Sequence, residues 1–155
     1  MLTVSDSAVA GTREDRSGDL LHELLEADGY DVVRRVVPDE RGEIVAALES
    51  LARDAQLVLT TGGTGVAPRD VTPEATRAVL DRDAPGIAEA LRADSIAKTP
   101  HGLLSRGVAG TRGSTLLVNL PGSTGGCRDG YAILRPALEH ALELLANETT
   151  EHAQT

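Results

Sequence analysis

QLVLTTGGTGVAPRDVTPEAT, residues 56–76, contains a strand, a glycine turn and a helix start in that order. Gln56 to Thr60, with Leu57-Val58-Leu59 at its centre, reads as a strand buried on both faces of a sheet. Thr61-Gly62-Gly63-Thr64-Gly65 breaks it with residues that tolerate tight turns and close backbone approach. Thr72-Pro73-Glu74 then supplies a helix cap followed by proline at the first helical position, and the spacing predicts a helix to about Asp81. A strand leading through a glycine turn into a helix is the unit from which α/β folds are built.

The same alternation extends in both directions. Upstream, Leu2 to Val4 reads as a short strand, Ser5 to Arg16 as a polar loop, and the next stretch as a helix capped by Ser17 with Leu20, Leu21, Leu24 and Leu25 on one face. Gly29 suits its carboxyl stop. Tyr30 to Val37 is expected to be a strand with Pro38-Asp39 as its exit, and Arg41 to Arg53 a helix with Ile44, Val45, Leu48 and Leu51 inward. Downstream, a helix is expected from Pro85 to near Ser95. Lys98 to Gly113 is irregular, with a short strand at Leu103-Leu104-Ser105, and Ser114 to Leu120 is a strand. Pro121 to Gly126 opens into a last helix, kinked at Pro136 and running to about Ala146. The expected class is α/β with a mainly parallel sheet, one domain over residues 1–147 and a disordered tail at 148–155.

Composition narrows the chemistry. The chain of 155 residues is 41% apolar yet has no Phe or Trp and only two Tyr, so Leu, Val, Ile and Ala must make the core and aromatic base-stacking platforms are excluded. A net charge of −9 repels nucleic-acid phosphates and anionic membrane surfaces alike. No apolar run approaches membrane-spanning length, and the residues after Met1 lack a signal peptide's basic and apolar regions. Cys127 is the single cysteine, which rules out an intramolecular disulfide and suits a reducing compartment. A cytoplasmic protein that engages neither nucleic acid nor membrane is expected.

The candidate chemical residues follow strands, where open α/β sheets bind their ligands, so one composite pocket is expected. In Thr61, Gly62, Gly63, Thr64 and Gly65, backbone N–H groups and threonine hydroxyls can meet an anion, although an ordinary tight turn would use the same glycines; no Walker lysine follows. Asp70 beside such a loop and Asp39 at a neighbouring strand exit fit a bridging magnesium ion, or else cap loop backbone as exposed aspartates commonly do. Pro121, Gly122 and Ser123 form a second candidate anion loop before a helix. Ser5, Asp6 and Ser7 end the first strand as candidate polar contacts. Lys98, Arg106 and Arg112 could hold phosphate or be surface charge. His101 and His140 lack spaced ligand partners, and Cys127 lacks a paired base, so neither metal ligation nor nucleophilic catalysis is assigned to them.

Thr3-Val4-Ser5-Asp6-Ser7, Thr60 to Gly65, Pro68-Arg69-Asp70-Val71-Thr72-Pro73-Glu74-Ala75-Thr76 and Asn119-Leu120-Pro121-Gly122-Ser123 occur in the order of a known family. The chain resembles the MogA/MoaB family, which includes the G domain of gephyrin, from Leu2 to about Leu145. The resemblance implies a three-layer α/β/α sandwich, commonly trimeric, that adenylylates molybdopterin with magnesium and ATP and releases diphosphate. It implies that Gly62 to Gly65 and Pro121 to Ser123 contact the nucleotide, and that Asp39 and Asp70 serve catalysis and magnesium. Ser95, Ser105 and Arg106, with Ser5, Asp6 and Ser7, would face the substrate. A homotrimer is implied, with the molybdate-insertion protein of the same pathway as a candidate partner. The alternative is a molybdopterin-binding carrier without turnover. Against the family pattern the first strand is short, and the natural start is expected upstream.

Overall fold

The computed structural model describes residues 1–152, with side chains through residue 146. Alternation along the central strands sets its architecture. In β3 (Leu57–Thr61), Leu57 and Leu59 join one apolar cluster while Val58 joins another; in β6 (Thr115–Leu120), Leu116, Val118 and Leu120 share the first cluster and Leu117 the second. Successive side chains leave a strand on opposite faces, so both faces of this sheet are apolar and both require covering. The first face receives α2 (Arg16–Ala27), α5 (Pro85–Lys98) and α6 (Thr124–His152); the second receives α3 (Arg41–Asp54) and α4 (Thr72–Val79). This is the expected three-layer α/β/α sandwich.

With β1 (Leu2–Val4), β2 (Arg35–Val37), β4 (Arg82–Asp83) and β5 (Ala109–Arg112), the sheet order is β2-β1-β3-β6-β5-β4. The β1–β2, β1–β3 and β3–β6 pairs are parallel, and β4–β5 and β5–β6 are antiparallel, so the sheet is mixed but mostly parallel at its centre. The chain leaves β1 for β2 on one side and returns to β3 on the other. The carboxyl ends of β1 and β3 therefore flank the topological switch point, where such sheets bind ligands.

Several elements differ from expectation. The strand expected over Tyr30 to Val37 is only Arg35–Val37, because its neighbour β1 supplies just three residues to pair with; Tyr30 and Val32 pack against the core instead. Helix α2 is capped not by Ser17 but by Asp15, whose Oδ1 accepts the Gly18 N–H at 2.9 Å. The loop after β1 contains the short helix α1 (Asp6–Val9), capped by Ser5. Leu103 and Leu104 belong to a 3-10 turn, Pro100–Leu104, not a strand. This turn lies so close to α5 that a Cβ on Gly102 would be 2.5 Å from the Ile96 nitrogen. Helix α4 stops at Val79, α5 continues to Lys98, and α6 passes through Pro136 to His152. Residues 153–155 of the expected tail lie outside the described residues.

Candidate functional site at the carboxyl ends of the strands

Four strand exits converge here, and glycine makes the convergence possible. Gly62 has φ +97°, and a Cβ on it would be 2.2 Å from the Val4 carbonyl oxygen. A Cβ on Gly122 would be 3.2 Å from the Gly62 Cα. The end of β1 and the two glycine turns are thus in near contact, an approach that a larger residue at position 62 would block. Beneath them, the Thr61 hydroxyl is buried within bonding distance of Ser17 Oγ (3.1 Å) and the Pro121 carbonyl (2.9 Å). The Cys127 thiol is 3.0 Å from that carbonyl, and burial pushes its pKa up, which fits a structural role.

Asp39 and Asp6 bind each other reciprocally. The Asp6 N–H donates to Asp39 Oδ2 at 2.8 Å and the Asp39 N–H donates to Asp6 Oδ1 at 3.0 Å. Arg69 grips Asp6 with two bonds, 2.6 and 3.0 Å, and reaches Glu40 at 2.9 Å. This grip holds the Asp6 carboxyl below the ordinary carboxylate range, whereas burial, then Asp6 and Asp70, push that of Asp39 upward. Asp39 Oδ1 faces the glycine turn, 3.2 Å from where a Cβ on Gly63 would stand. Asp70 lies against the same turn: its Oδ2 accepts the Ala67 N–H at 2.9 Å and would be 2.8 Å from a Cβ on Gly65.

Two carboxylates therefore bear on one glycine turn, and their mutual repulsion would be relieved by a cation. Among the described residues no group of three His, Cys, Asp or Glu side chains could hold a metal by itself. Magnesium does not need one, since it commonly takes one or two carboxylates together with substrate phosphates and water. The donor set fits magnesium bound jointly with a phosphorylated ligand.

The expected single pocket is two adjoining cavities that share Gly122 and Ser123 as a wall. The smaller, about 390 Å³, is lined by Ser5, Asp39, Thr61 and Gly62 together with Arg13 and Asp15. The larger, about 570 Å³, is lined by Thr64, Gly65, Ser95, Ser105 and Pro121. Ser5 is thus separated from Ser95 and Ser105, with which it was grouped. Asp6 and Ser7 line neither cavity: Asp6 is engaged with Arg69, and Ser7 Oγ is 3.1 Å from Ser5 Oγ. Gly63 and Asp70 also stand behind the walls.

The basic candidates are all engaged within the protein. Arg106 donates to the Gly65 and Asp70 carbonyls at 2.7 and 2.6 Å and pairs with Glu74. Arg112 binds the Val79 carbonyl, and Lys98 bridges Asp94 and Asp129. Sequence reasoning missed Arg13, exposed beside the smaller cavity, and Asp15, which caps α2 and accepts the Thr3 hydroxyl at 2.7 Å. The available signal was Asp15-Arg16-Ser17-Gly18, an aspartate three residues before a glycine at a helix start. Ser123, as expected of a helix-start loop, accepts the Gly126 N–H at 3.1 Å and caps α6.

Two glycine turns, two helix starts and paired aspartates gather at the switch point of a mixed sheet, the place at which α/β domains bind phosphorylated ligands. The family model described as "Probable molybdopterin binding domain" matches residues 1–140. A molybdopterin adenylyltransferase of Helicobacter pylori is 37% identical over 94% of this chain and 85% of its own length. The crystal structure of the molybdopterin biosynthesis enzyme MoaB from Thermus thermophilus has a TM-score of 0.88 and 47% identity, covering 94% of each chain. The Drosophila melanogaster molybdenum cofactor synthesis protein cinnamon is 36% identical over 97% of this chain, which spans only 26% of that protein. The chain also spans less than half of two other curated relatives. The chain belongs to the MogA/MoaB molybdopterin-binding family of molybdenum cofactor biosynthesis. Among its described residues no helix is long and apolar enough to cross a membrane.

Proposed function

We propose that the chain is a molybdopterin adenylyltransferase. The observation that carries this reading is the pair Asp39 and Asp70, set against the glycine turn where the two cavities meet. A passive pterin site gains nothing from two carboxylates beside a phosphate, whereas phosphoryl chemistry with a divalent cation uses them directly. The smaller cavity would take the nucleotide, with Gly62, Gly122, Ser123 and Arg13 toward its phosphates; the larger would take the pterin, with Ser95 and Ser105 as polar contacts.

In this reading a terminal phosphate oxygen of molybdopterin bonds to the α-phosphorus of ATP, the bond to the β-phosphate oxygen breaks, and diphosphate leaves. Asp39 and Asp70 would hold magnesium, which when bound neutralises the developing phosphate charge. The chain's own contribution is to align attacking oxygen and leaving group across the Gly62–Gly65 turn and to fix Asp39 through Asp6 and Arg69. No covalent nucleophile is needed, consistent with a buried thiol at Cys127.

Incubation of the protein with molybdopterin, ATP and magnesium should give adenylylated pterin and diphosphate in equal amounts. Binding of both ligands without product would overturn the enzyme reading in favour of a carrier. We extend the proposal to a homotrimer, with the molybdate-insertion protein of the pathway as acceptor of the product. Exposed Ile96 on α5 and Leu103 on the adjoining 3-10 turn would suit a covered face. A strict monomer in sedimentation would remove the trimer.

A further inference from the structure

Arg106 lines neither cavity, and it makes four connections to the segment after β3, which runs from Gly62 at the smaller cavity to Thr64 and Gly65 at the larger. Its backbone N–H donates to the Thr64 carbonyl at 2.8 Å. Its Nε donates to the Gly65 carbonyl at 2.7 Å, its Nη2 donates to the Asp70 carbonyl at 2.6 Å, and Nη1 pairs with Glu74 in the first turn of α4. A guanidinium is a rigid planar fork, so three partners held by one fork keep a fixed mutual geometry. Its sequence neighbours belong to a second stretch of wall of the larger cavity, which Thr64 and Gly65 also line. Ser105 and Gly107 both line the larger cavity, and Arg92 Nη1 holds their carbonyls at 3.1 Å each.

There is little slack along this path. A Cβ on Gly65 would be 2.8 Å from Asp70 Oδ2, so the turn and the aspartate are packed against each other. Movement of the Ser105–Gly107 wall must therefore carry Arg106, and with it the Gly65 and Asp70 backbone. Thr64 and Gly65 face the larger cavity, while Gly62, at the start of the same turn, lines the smaller.

We infer that Arg106 is a positioning residue that couples the two cavities, so that pterin in the larger one tightens nucleotide binding in the smaller and the reverse holds equally. This rests on the reading that the cavities hold pterin and nucleotide. Arg106 acts through Gly65 and Asp70 and touches neither ligand, which replaces the substrate contact expected from the sequence.

The test is equilibrium titration with α,β-methylene-ATP and magnesium, which cannot transfer the adenylyl group, with and without saturating molybdopterin. In the wild type, molybdopterin should tighten the nucleotide about tenfold, within the ordinary range of coupling between sites. Arg106→Gln should keep each single-ligand affinity within about threefold and bring the coupling factor to about one. Arg106→Lys, which keeps the charge but loses the fork, should fall between, and Glu74→Gln supplies a second variant should Arg106→Gln fail to fold. Equal coupling in wild type and variants, or independent binding of both ligands to the wild type, would overturn the inference. Failure of the wild type to bind either ligand would instead overturn the functional reading and the coupling with it.

Discussion

Asp39 and Asp70 reach the glycine turn by different means, and the difference governs what substitution does. Asp39 exchanges hydrogen bonds with Asp6, so altering it disturbs a second loop; Asp70 binds only local backbone. Asp70→Asn retains an oxygen for the Ala67 N–H and should change stability by no more than about 0.5 kcal/mol. Adenylyl transfer should nonetheless fall by at least about 100-fold, the scale of losing one charge-stabilising group. Steady-state rates alongside a thermal melt check both halves, and unchanged turnover would remove Asp70 from the site. Gly62 presents the reverse case. At φ +97°, with the Val4 backbone O 2.2 Å from any Cβ, Gly62→Ala should lose more in urea unfolding than the roughly 1–3 kcal/mol of backbone strain alone. Gly113→Ala, with φ +52° but open space around it, is the control for backbone strain without the clash.

Among the elements, the strand, turn and helix over residues 57–79 were legible because apolar run, glycines and Thr-Pro-Glu each indicate the same thing. Strand β5 was not, since Ala109-Gly110-Thr111-Arg112 has no apolar alternation; its pairing with β6 supplies what its sequence lacks. The two-residue Gly113-Ser114 connection between them is the one local hairpin signal in this stretch. The cap of α2 was misplaced by two positions because Ser17 and Asp15 are both good caps, and tertiary contacts decide between them. Thr3 and Arg34 both bind Asp15, while the Ser17 hydroxyl is within reach of Thr61. Asp15→Ala should therefore cost about 1–2 kcal/mol, more than Ser17→Ala, as measured by denaturant midpoints at constant m.

At the scale of the molecule, the position of the site was legible and its partition was not. Strand exits mark where an open sheet binds ligands, but whether two glycine turns enclose one cavity or divide two depends on how closely Gly122 approaches Gly62. Nor could sequence reveal that Lys98, Arg106 and Arg112 bind within the protein, because an arginine that braces a loop and one that holds phosphate read identically. The buried thiol of Cys127 has a use that follows from this geometry. It is sealed beneath the meeting point of the two turns, so a disulfide reagent can reach it only when they part. Its labelling rate is therefore a clock for the opening of the site. Ligands that bridge the turns should slow it in proportion to their occupancy, and labelling as fast as a free thiol would mean that the roof over Cys127 is not closed.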